Sequence, residues 1–235
     1  MLKLHKLIKR VSKAYEDYEF HVVFHAVHNF CTVDLSNIYF DILKDRLYCS
    51  HPQDPERKAA QTVLYELINA LVVMLTPILA YTSEEIYSHL RREDDPESVQ
   101  LLDWPEYKEE YIDENIESRM SQILEVREAV TKALEEARSQ KVIGHSLAAS
   151  VCIYANPEWM SLLSTINNLE KMFIVSQAEL KEEGQRSPDA VSLEELPGIW
   201  VEVAPASGEK CERCWIIEPS AGEEHGHPGI CDRCY

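Results

Sequence analysis

Glycine is almost missing from the first part of this chain. Only 7 glycines occur among 235 residues, and the first of them is Gly144. P-loops, dinucleotide-binding fingerprints and glycine-rich kinase loops all need glycine, because their backbone adopts special conformations or approaches phosphate closely. The sequence therefore excludes these nucleotide sites from residues 1–143 and favours long helices there.

Membrane and secretion signals are also lacking. We find no apolar run that approaches the ~20 residues needed to cross a bilayer. Residues 1–11 alternate Leu and Ile with Lys in helical register, which is not the pattern of a signal peptide. Cys31, Cys49 and Cys152 are scattered singly, and free thiols are typical of a reducing compartment. We therefore predict a cytoplasmic protein with no membrane partner.

Negative charge dominates the chain, whose formal net charge is −18. Such a protein is not expected to hold nucleic acid non-specifically, since phosphate neutralisation by cations drives that mode. A local basic patch can still bind one nucleic acid. Residues 1–60 hold 9 Lys and Arg against 8 Asp and Glu, so they are the place for such a patch.

The apolar residues of the first 92 positions recur at three- and four-residue steps, which predicts amphipathic helices. Thr82 and Glu85 match a capping box. Short loops between helices predict an antiparallel helix bundle over residues 1–92. The first three predicted helices cover residues 4–18, 20–31 and 35 to about 44–46. A loop at 51–55 is predicted from its prolines, and a long helix to residue 75 and a further helical segment from 82 follow it.

The rest of the chain predicts three more regions. Residues 93–118 are acidic and aperiodic, so we expect a connecting segment. A helix from about 119, a strand near 147–153, a helix over 157–172 and strands at 173–180 and 199–204 predict a small α+β domain over 119–204. Residues 205–235 are expected to form a zinc-finger module. The predicted fold class is mainly α.

Two cysteine pairs occupy the last 25 residues, and 16 residues separate them. Two Cys-x-x-Cys turns at this spacing can offer four thiolates to one metal ion and leave no open position for a substrate. We predict a structural Zn²⁺ site. Two disulfides or a rubredoxin-type iron site are the alternatives. The predicted ligands are Cys211, Cys214, Cys231 and Cys234.

No arrangement of residues predicts catalysis. His21, His25 and His28 lie on one helical stripe, but no carboxylate is placed to complete a metal site, so we expect a polar face that could at most contact RNA. No Ser, Cys or Thr lies in a strand–turn–helix elbow. We expect this chain not to catalyse a reaction by itself.

Basic and aromatic residues at the end of the third helix are candidates for RNA contact, since such side chains pair with phosphate and stack on unpaired bases. A solvated helix end is the alternative, because Lys and Arg also favour the helix dipole there. Arginines and a tryptophan beside the cysteine turns form a second candidate group, in which Trp215 could instead anchor a small core. The candidates are Tyr39, Lys44, Arg46 and Tyr48, and Arg213, Trp215 and Arg233.

Several stretches together resemble the C-terminal part of the bacterial isoleucyl-tRNA synthetases, which are class I aminoacyl-tRNA synthetases. The stretches are Phe30-Cys31-Thr32-Val33-Asp34-Leu35-Ser36-Asn37-Ile38-Tyr39-Phe40-Asp41, Lys44-Asp45-Arg46-Leu47-Tyr48, Leu75-Thr76-Pro77-Ile78-Leu79-Ala80-Tyr81-Thr82-Ser83-Glu84-Glu85-Ile86, and the two cysteine turns with Trp215. The resemblance implies an anticodon-binding domain followed by a zinc finger.

The family's catalytic half carries a His-x-Gly-His signature and a Lys-Met-Ser-Lys-Ser loop, and neither occurs here. The resemblance therefore implies an inactive, monomeric fragment that binds the anticodon stem-loop of isoleucine tRNA. Its partner would be the catalytic half, which performs ATP-dependent aminoacylation. A similar finger occurs in DNA-repair glycosylases, so a repair fragment and a zinc-stabilised protein adaptor are the alternatives.

Overall fold

The computed structural model describes residues 1–193, 195–221, 227 and 229–235. Two compact units make up this part of the chain. The first unit contains residues 1–47 and 51–114, and the second contains residues 48–50 and 115–235. The finer division at residues 92, 118 and 204 stays a prediction.

The first unit is helical. Its elements are α1 (Leu2–Glu16), α2 (Phe20–Asn29), a π-helix (Phe30–Phe40), α3 (Asp41–Cys49, whose last two residues belong to the second unit), α4 (Pro55–Leu75), α5 (Ala80–Leu90) and short 3₁₀ turns at Val99–Leu101 and Glu109–Tyr111. Asp54 caps the start of α4, because its side chain accepts hydrogen bonds from the N–H groups of Glu56 and Arg57. Pro55 occupies the first turn of this helix, where proline is tolerated. The predicted capping box is wrong, since α5 already begins at Ala80 and Thr82 lies inside it.

The predicted break between the second and third helices is also wrong. Residues 20–49 are continuously helical, and the middle eleven residues form a π-helix. A π-helix bonds residue i to i+5, so each turn holds more residues than an α-turn. The apolar period therefore shifts near Cys31, and a shift of this kind looks like a helix boundary in the sequence.

The core of the first unit lies between α1, α2, the π-helix and α4. Its buried side chains include Leu4, Val11, Val23, Leu67 and Met74. A smaller cluster around Val72, Tyr87 and Val99 joins α4 and α5 to the first 3₁₀ turn. The Tyr15 hydroxyl donates a hydrogen bond to the Met74 carbonyl at 2.9 Å, which ties the end of α1 to the end of α4.

Helix α4 is the one described helix that is long and apolar enough to cross a membrane by length and composition. Five of its buried residues pack into the unit's own core, namely Leu67, Ala70, Leu71, Val72 and Met74. A core helix passes the same length test, so this observation is weak support for a membrane span.

The second unit combines one long helix with a four-stranded sheet. Its main elements are α6 (Glu114–Ser139), β1 (Ala149–Ala155), α7 (Pro157–Leu163), α8 (Leu169–Phe173), β2 (Gln177–Glu182), β3 (Val191–Ser192) and β4 (Ile199–Pro205). The strand order is β2-β1-β4-β3, with β1 parallel to β2 and antiparallel to β4. Val151 and Ile153 of β1 are fully buried in the cluster that contains Val126 and Val130 of α6.

Element boundaries in this unit differ from the prediction in three places. Helix α6 begins at Glu114, ahead of the expected start near 119. The helix predicted over 157–172 is interrupted at residues 164–168, where four of five residues are Ser, Thr or Asn that compete for backbone hydrogen bonds. Strand β2 begins only at Gln177, because Phe173 ends α8 and Ile174 adopts the left-handed conformation at φ +57°.

Candidate metal centre and nucleic-acid interface

The first cysteine turn is the loop of a small hairpin. Strands β5 (Glu209–Lys210) and β6 (Ile217–Glu218) pair antiparallel, and Cys211 follows β5 directly. The Cys211 N–H donates to the Ile216 carbonyl at 2.9 Å, and the Trp215 N–H donates to the Cys211 carbonyl at 2.9 Å. Trp215 closes this turn at φ +66°, a left-handed conformation that is uncommon for a bulky residue.

The second cysteine turn has the same form. The Cys234 and Tyr235 N–H groups donate to the Cys231 carbonyl at 2.8 and 3.1 Å. Two hydrogen bonds join the turns directly: Nη1 of Arg213 donates to the Cys234 carbonyl at 2.8 Å, and the Cys231 N–H donates to Sγ of Cys211 at 3.4 Å. Arg213 therefore has a structural contact inside the module.

The four sulfurs meet at one point. Their Sγ atoms all lie within 4.8 Å of one another, and Cys211 and Cys231 have no exposed surface. Cys214 and Cys231 place their sulfurs 3.7 Å apart. A tetrahedral zinc site with Zn–S bonds of about 2.3 Å has sulfur–sulfur edges of about 3.8 Å. The four thiols fit Zn²⁺, and none of the seven cysteines forms a disulfide in this structure.

Backbone donors and burial act in opposite directions on these thiols. Burial alone would raise the pKa of Cys211, but the N–H groups of Cys214, Cys231 and Arg213 outweigh it and lower that pKa to about 6. Burial raises the pKa of Cys231 to about 11, with a further contribution from its hydrogen bond with Cys211. Burial and the contact with Cys214 likewise raise the pKa of Cys234. The lowered pKa of Cys211 favours its thiolate near neutral pH, whereas Cys231 and Cys234 would have to lose their protons in order to bind a metal ion.

A fifth thiol packs against this centre. Cys49 is buried in the same cluster as the four metal-compatible cysteines, together with Ala221 and the half-buried Ile216 and Ile230. In the sequence Cys49 lies 162 positions before Cys211 and has no spacing that would connect it to them. Only the tertiary structure places it there.

The four candidate RNA-contact residues near the end of α3 differ in how far their side chains are exposed and in whether they already have an ion-pair partner. Tyr39 is half-buried in the core of the first unit, and burial raises its pKa. Nζ of Lys44 lies 2.8 Å from Asp41, and Nη2 of Arg46 lies 3.2 Å from Glu56. Tyr48, which belongs to the second unit, is 79% exposed. The tyrosine ring at 48 is therefore the candidate best placed to stack on a base.

The candidate RNA-contact residues of the zinc module also differ in their exposure and in their neighbours. Trp215 is 60% exposed, and Nζ of Lys210 lies 5.1 Å from the centroid of its ring. A cation above an exposed indole can bind phosphate while the ring stacks on a base. Arg233 lies exposed in the second turn. Lys210 was missed in the sequence, where nothing pairs it with Trp215.

A basic surface on α1 was missed as well. Lys3, Lys6, Lys9, Arg10 and Lys13 are all exposed, and no carboxylate occurs among residues 1–15. The sequence contains this signal, but the net charge was summed over residues 1–60, where the acidic residues after position 15 cancel the positive charge of α1.

Comparison with known proteins supplies the family context for these sites. A family model described as the anticodon-binding domain of tRNA ligase matches residues 1–153. A second model, described as the zinc finger found in FPG and IleRS, matches residues 208–235.

Three similar proteins are isoleucine–tRNA ligases of bacteria. Identity is 68% over 234 residues with that of Syntrophomonas wolfei, 51% over 235 residues with that of Carboxydothermus hydrogenoformans and 49% over 238 residues with that of Moorella thermoacetica. Each alignment covers 100% of this chain but only 25–26% of the relative. The chain thus spans about a quarter of the length of the curated relatives it matches.

Proposed function

Because the chain belongs to the anticodon-binding domain family of tRNA ligases, we propose that it is the tRNA-binding C-terminal part of an isoleucine–tRNA ligase. The observation that carries this proposal is the family match over residues 1–153, followed by the finger match over 208–235 in the same order as the two predicted modules. In the cytoplasm, this part would hold isoleucine tRNA as a monomer within the longer enzyme.

The physical role is positioning. Contacts to phosphate fix the register of a bound RNA, and stacking on unpaired bases gives identity. The helices of the first unit would form an antiparallel bundle that carries these contacts to the anticodon stem-loop. The catalytic half, which supplies ATP-dependent aminoacylation, lies outside this chain.

The metal would stabilise the module and take no part in the chemistry. Cys211, Cys214, Cys231 and Cys234 would hold Zn²⁺ in a closed four-thiolate shell. Because Trp215 and Arg213 lie within the first turn, the ion would fix the position of the exposed indole. We propose RNA contacts by Trp215, Arg213 and Arg233 in this module, and by Tyr39, Lys44, Arg46 and Tyr48 near the end of α3.

The two alternative functions have less support. The finger match that relates the chain to the repair enzymes covers only residues 208–235, whereas the ligase relatives match the whole chain. A protein adaptor would explain the zinc module but not the anticodon-domain match.

Filter binding to isoleucine tRNA and to a tRNA with another anticodon, each at 50 and 200 mM salt, tests the function. We expect preference for isoleucine tRNA at both concentrations and no pyrophosphate exchange. Tyr48→Ala should weaken binding roughly 5- to 150-fold, since one stacked base contributes about 1–3 kcal/mol. Tyr81→Ala is the matched control, because this tyrosine is 94% exposed but lies outside the proposed contacts. No preference between the two tRNAs would contradict the proposal.

A further inference from the structure

A short polar junction attaches the zinc module to the sheet of the second unit. Two adjacent residues form it: Ser176, which directly precedes β2, and Gln177, the first residue of that strand. Their side chains bond to both sides of the zinc hairpin, one at β6 and the other at the segment that leads into β5. All of these residues belong to the same compact unit.

Ser176 uses its hydroxyl in two directions. The Oγ atom accepts the Ile217 N–H of β6 at 2.7 Å and donates to the Leu147 carbonyl at 2.6 Å. The residue is buried, and its own N–H donates to the Ala149 carbonyl at 3.2 Å. One buried hydroxyl therefore connects the second strand of the zinc hairpin to the start of β1.

Gln177 holds the other side of the hairpin. Its Nε2 donates to the Ser207 carbonyl at 2.8 Å, and its Oε1 accepts the Ser207 N–H at 3.2 Å. This exchange of two bonds with one backbone residue resembles a hydrogen-bonded pair of an antiparallel ladder. The Ala206 N–H also donates to the Ala148 carbonyl at 2.8 Å. The chain is thus held on the sheet until two residues before β5.

The zinc module and the sheet have separate apolar cores. Among the described residues, the cluster around the sulfurs and the cluster beneath the sheet have no member in common. Hydrogen bonds depend on direction, whereas apolar burial does not. The orientation of the module on the sheet therefore depends on the polar junction.

The junction is connected to the exposed indole of Trp215 through a short stretch of fixed backbone. Trp215 precedes Ile217 by two positions, and its N–H donates to the Cys211 carbonyl at 2.9 Å. The Cys211 N–H in turn donates to the Ile216 carbonyl at 2.9 Å. Because the turn is fixed internally, a change in how β6 is attached to the sheet would move the indole with it.

We propose that Ser176 and Gln177 are positioning residues for tRNA binding, which hold the zinc module on the sheet and thereby fix the direction in which Trp215 meets the RNA. This inference rests on the proposed function and adds two residues that act through Trp215. A module already held in its binding orientation loses less conformational freedom on binding than a finger on a mobile tether, so it binds more tightly. The metal shapes the module, and the junction orients it.

Amide relaxation and exchange measured by NMR on the zinc-bound full chain test the attachment without RNA. We expect the amides of the module and those of β1, β2 and β4 to share one rotational correlation time. The Ile217 amide should exchange slowly, and Ser176→Ala should accelerate its exchange because the acceptor is lost. A shorter correlation time for the module, or an Ile217 amide that exchanges equally in both proteins, would contradict the proposed attachment.

Binding experiments then test whether the junction acts through Trp215. The test variant is Ser176→Ala/Gln177→Ala. The matched control is Tyr154→Phe, which removes from the same sheet a buried hydroxyl that donates to Glu202 at 2.9 Å, a bond outside the zinc module. Trp215→Ala is added to the unmodified chain and to each variant, and filter binding of isoleucine tRNA is measured.

We expect Trp215→Ala to weaken binding roughly 5- to 150-fold in the unmodified chain and in the Tyr154→Phe control. In the test variant the factor should approach 1, because a loosened module no longer holds the indole in place. Zinc stoichiometry should remain one per chain, which a purely structural defect of the module would lower. Loss of zinc from the test variant would therefore contradict the division of roles between metal and junction.

Independent sites give the same factor within about twofold. A Trp215→Ala factor in the test variant within about twofold of that in the unmodified chain would overturn the inference. So would the absence of any effect of Trp215→Ala in the unmodified chain, although preference for isoleucine tRNA would then still support the proposed function. If the unmodified chain binds no tRNA, the proposed function is wrong, and the role of the junction in RNA binding is wrong with it.

Discussion

Removing one thiol of the zinc module is the sharpest test of the proposed metal centre. We predict that Cys214→Ser unfolds the region of residues 205–235 and leaves the helices of the first unit folded. Structural zinc contributes roughly 10–16 kcal/mol to the folding of small modules. Divided over four thiolates, this is about 3 kcal/mol each, so the variant should bind zinc about two orders of magnitude more weakly.

The module has little else to stabilise it. Strands β5 and β6 contain 2 residues each, and the buried apolar neighbours of the sulfurs are few, chiefly Ala221 and Cys49 with the half-buried Ile216 and Ile230. Full burial of a large apolar side chain contributes about 1.5–3 kcal/mol. So little apolar burial does not offset the conformational entropy lost when the module becomes ordered, so unfolding of this module is expected without metal.

Zinc stoichiometry and peptide-resolved hydrogen exchange measure the outcome. The matched control is Cys152→Ser, which removes a half-buried thiol from β1 and should retain one zinc per chain. The module contains no α-helix among its described residues, so ellipticity at 222 nm should change little in Cys214→Ser. Equal loss of zinc and of helical signal would refute the reasoning, because the module and the helices would then fold as one cooperative unit.

Two further predictions concern the surroundings of this centre and of α1. Gly208→Ala should weaken zinc binding, because Gly208 has φ +115° and a Cβ there would approach the Glu218 carbonyl carbon to 2.4 Å; unchanged zinc affinity in a competition titration would show that the hairpin is not needed. Burial lowers the pKa of His5, with additional effects of the amino terminus and Lys108, so its neutral form accepts the Lys108 N–H at 3.2 Å. Stability from this contact is present above the unfolded histidine pKa of about 6.5 and is lost as the pH falls toward the lowered folded value. Urea unfolding at pH 7.5 and 5.5 should therefore show a larger loss for the unmodified chain than for His5→Phe.

Much of the candidate site could be predicted from residues that lie close together in the sequence. Cysteine spacing alone pointed to the four sulfurs that the structure brings within 4.8 Å of one another. The prolines of the 51–55 loop predicted that a helix follows it, and α4 begins at Pro55. The cap by Asp54 was not predicted, although a capping side chain also acts within a few residues. The apolar face of α1 was equally plain, since a helix repeats its faces at fixed steps.

The sequence by itself determined which residues can bind metal, which helix faces are apolar and which regions are helical, because these properties depend on residues close together in the chain. The tertiary structure decided the rest. It merged two predicted helices through the π-helix at Phe30–Phe40 and brought Cys49 against sulfurs more than 160 positions away. It also placed the Arg213 guanidinium where it donates a hydrogen bond to the Cys234 carbonyl. Such contacts depend on packing between distant segments, and no local pattern records which of several compatible neighbours a side chain will meet.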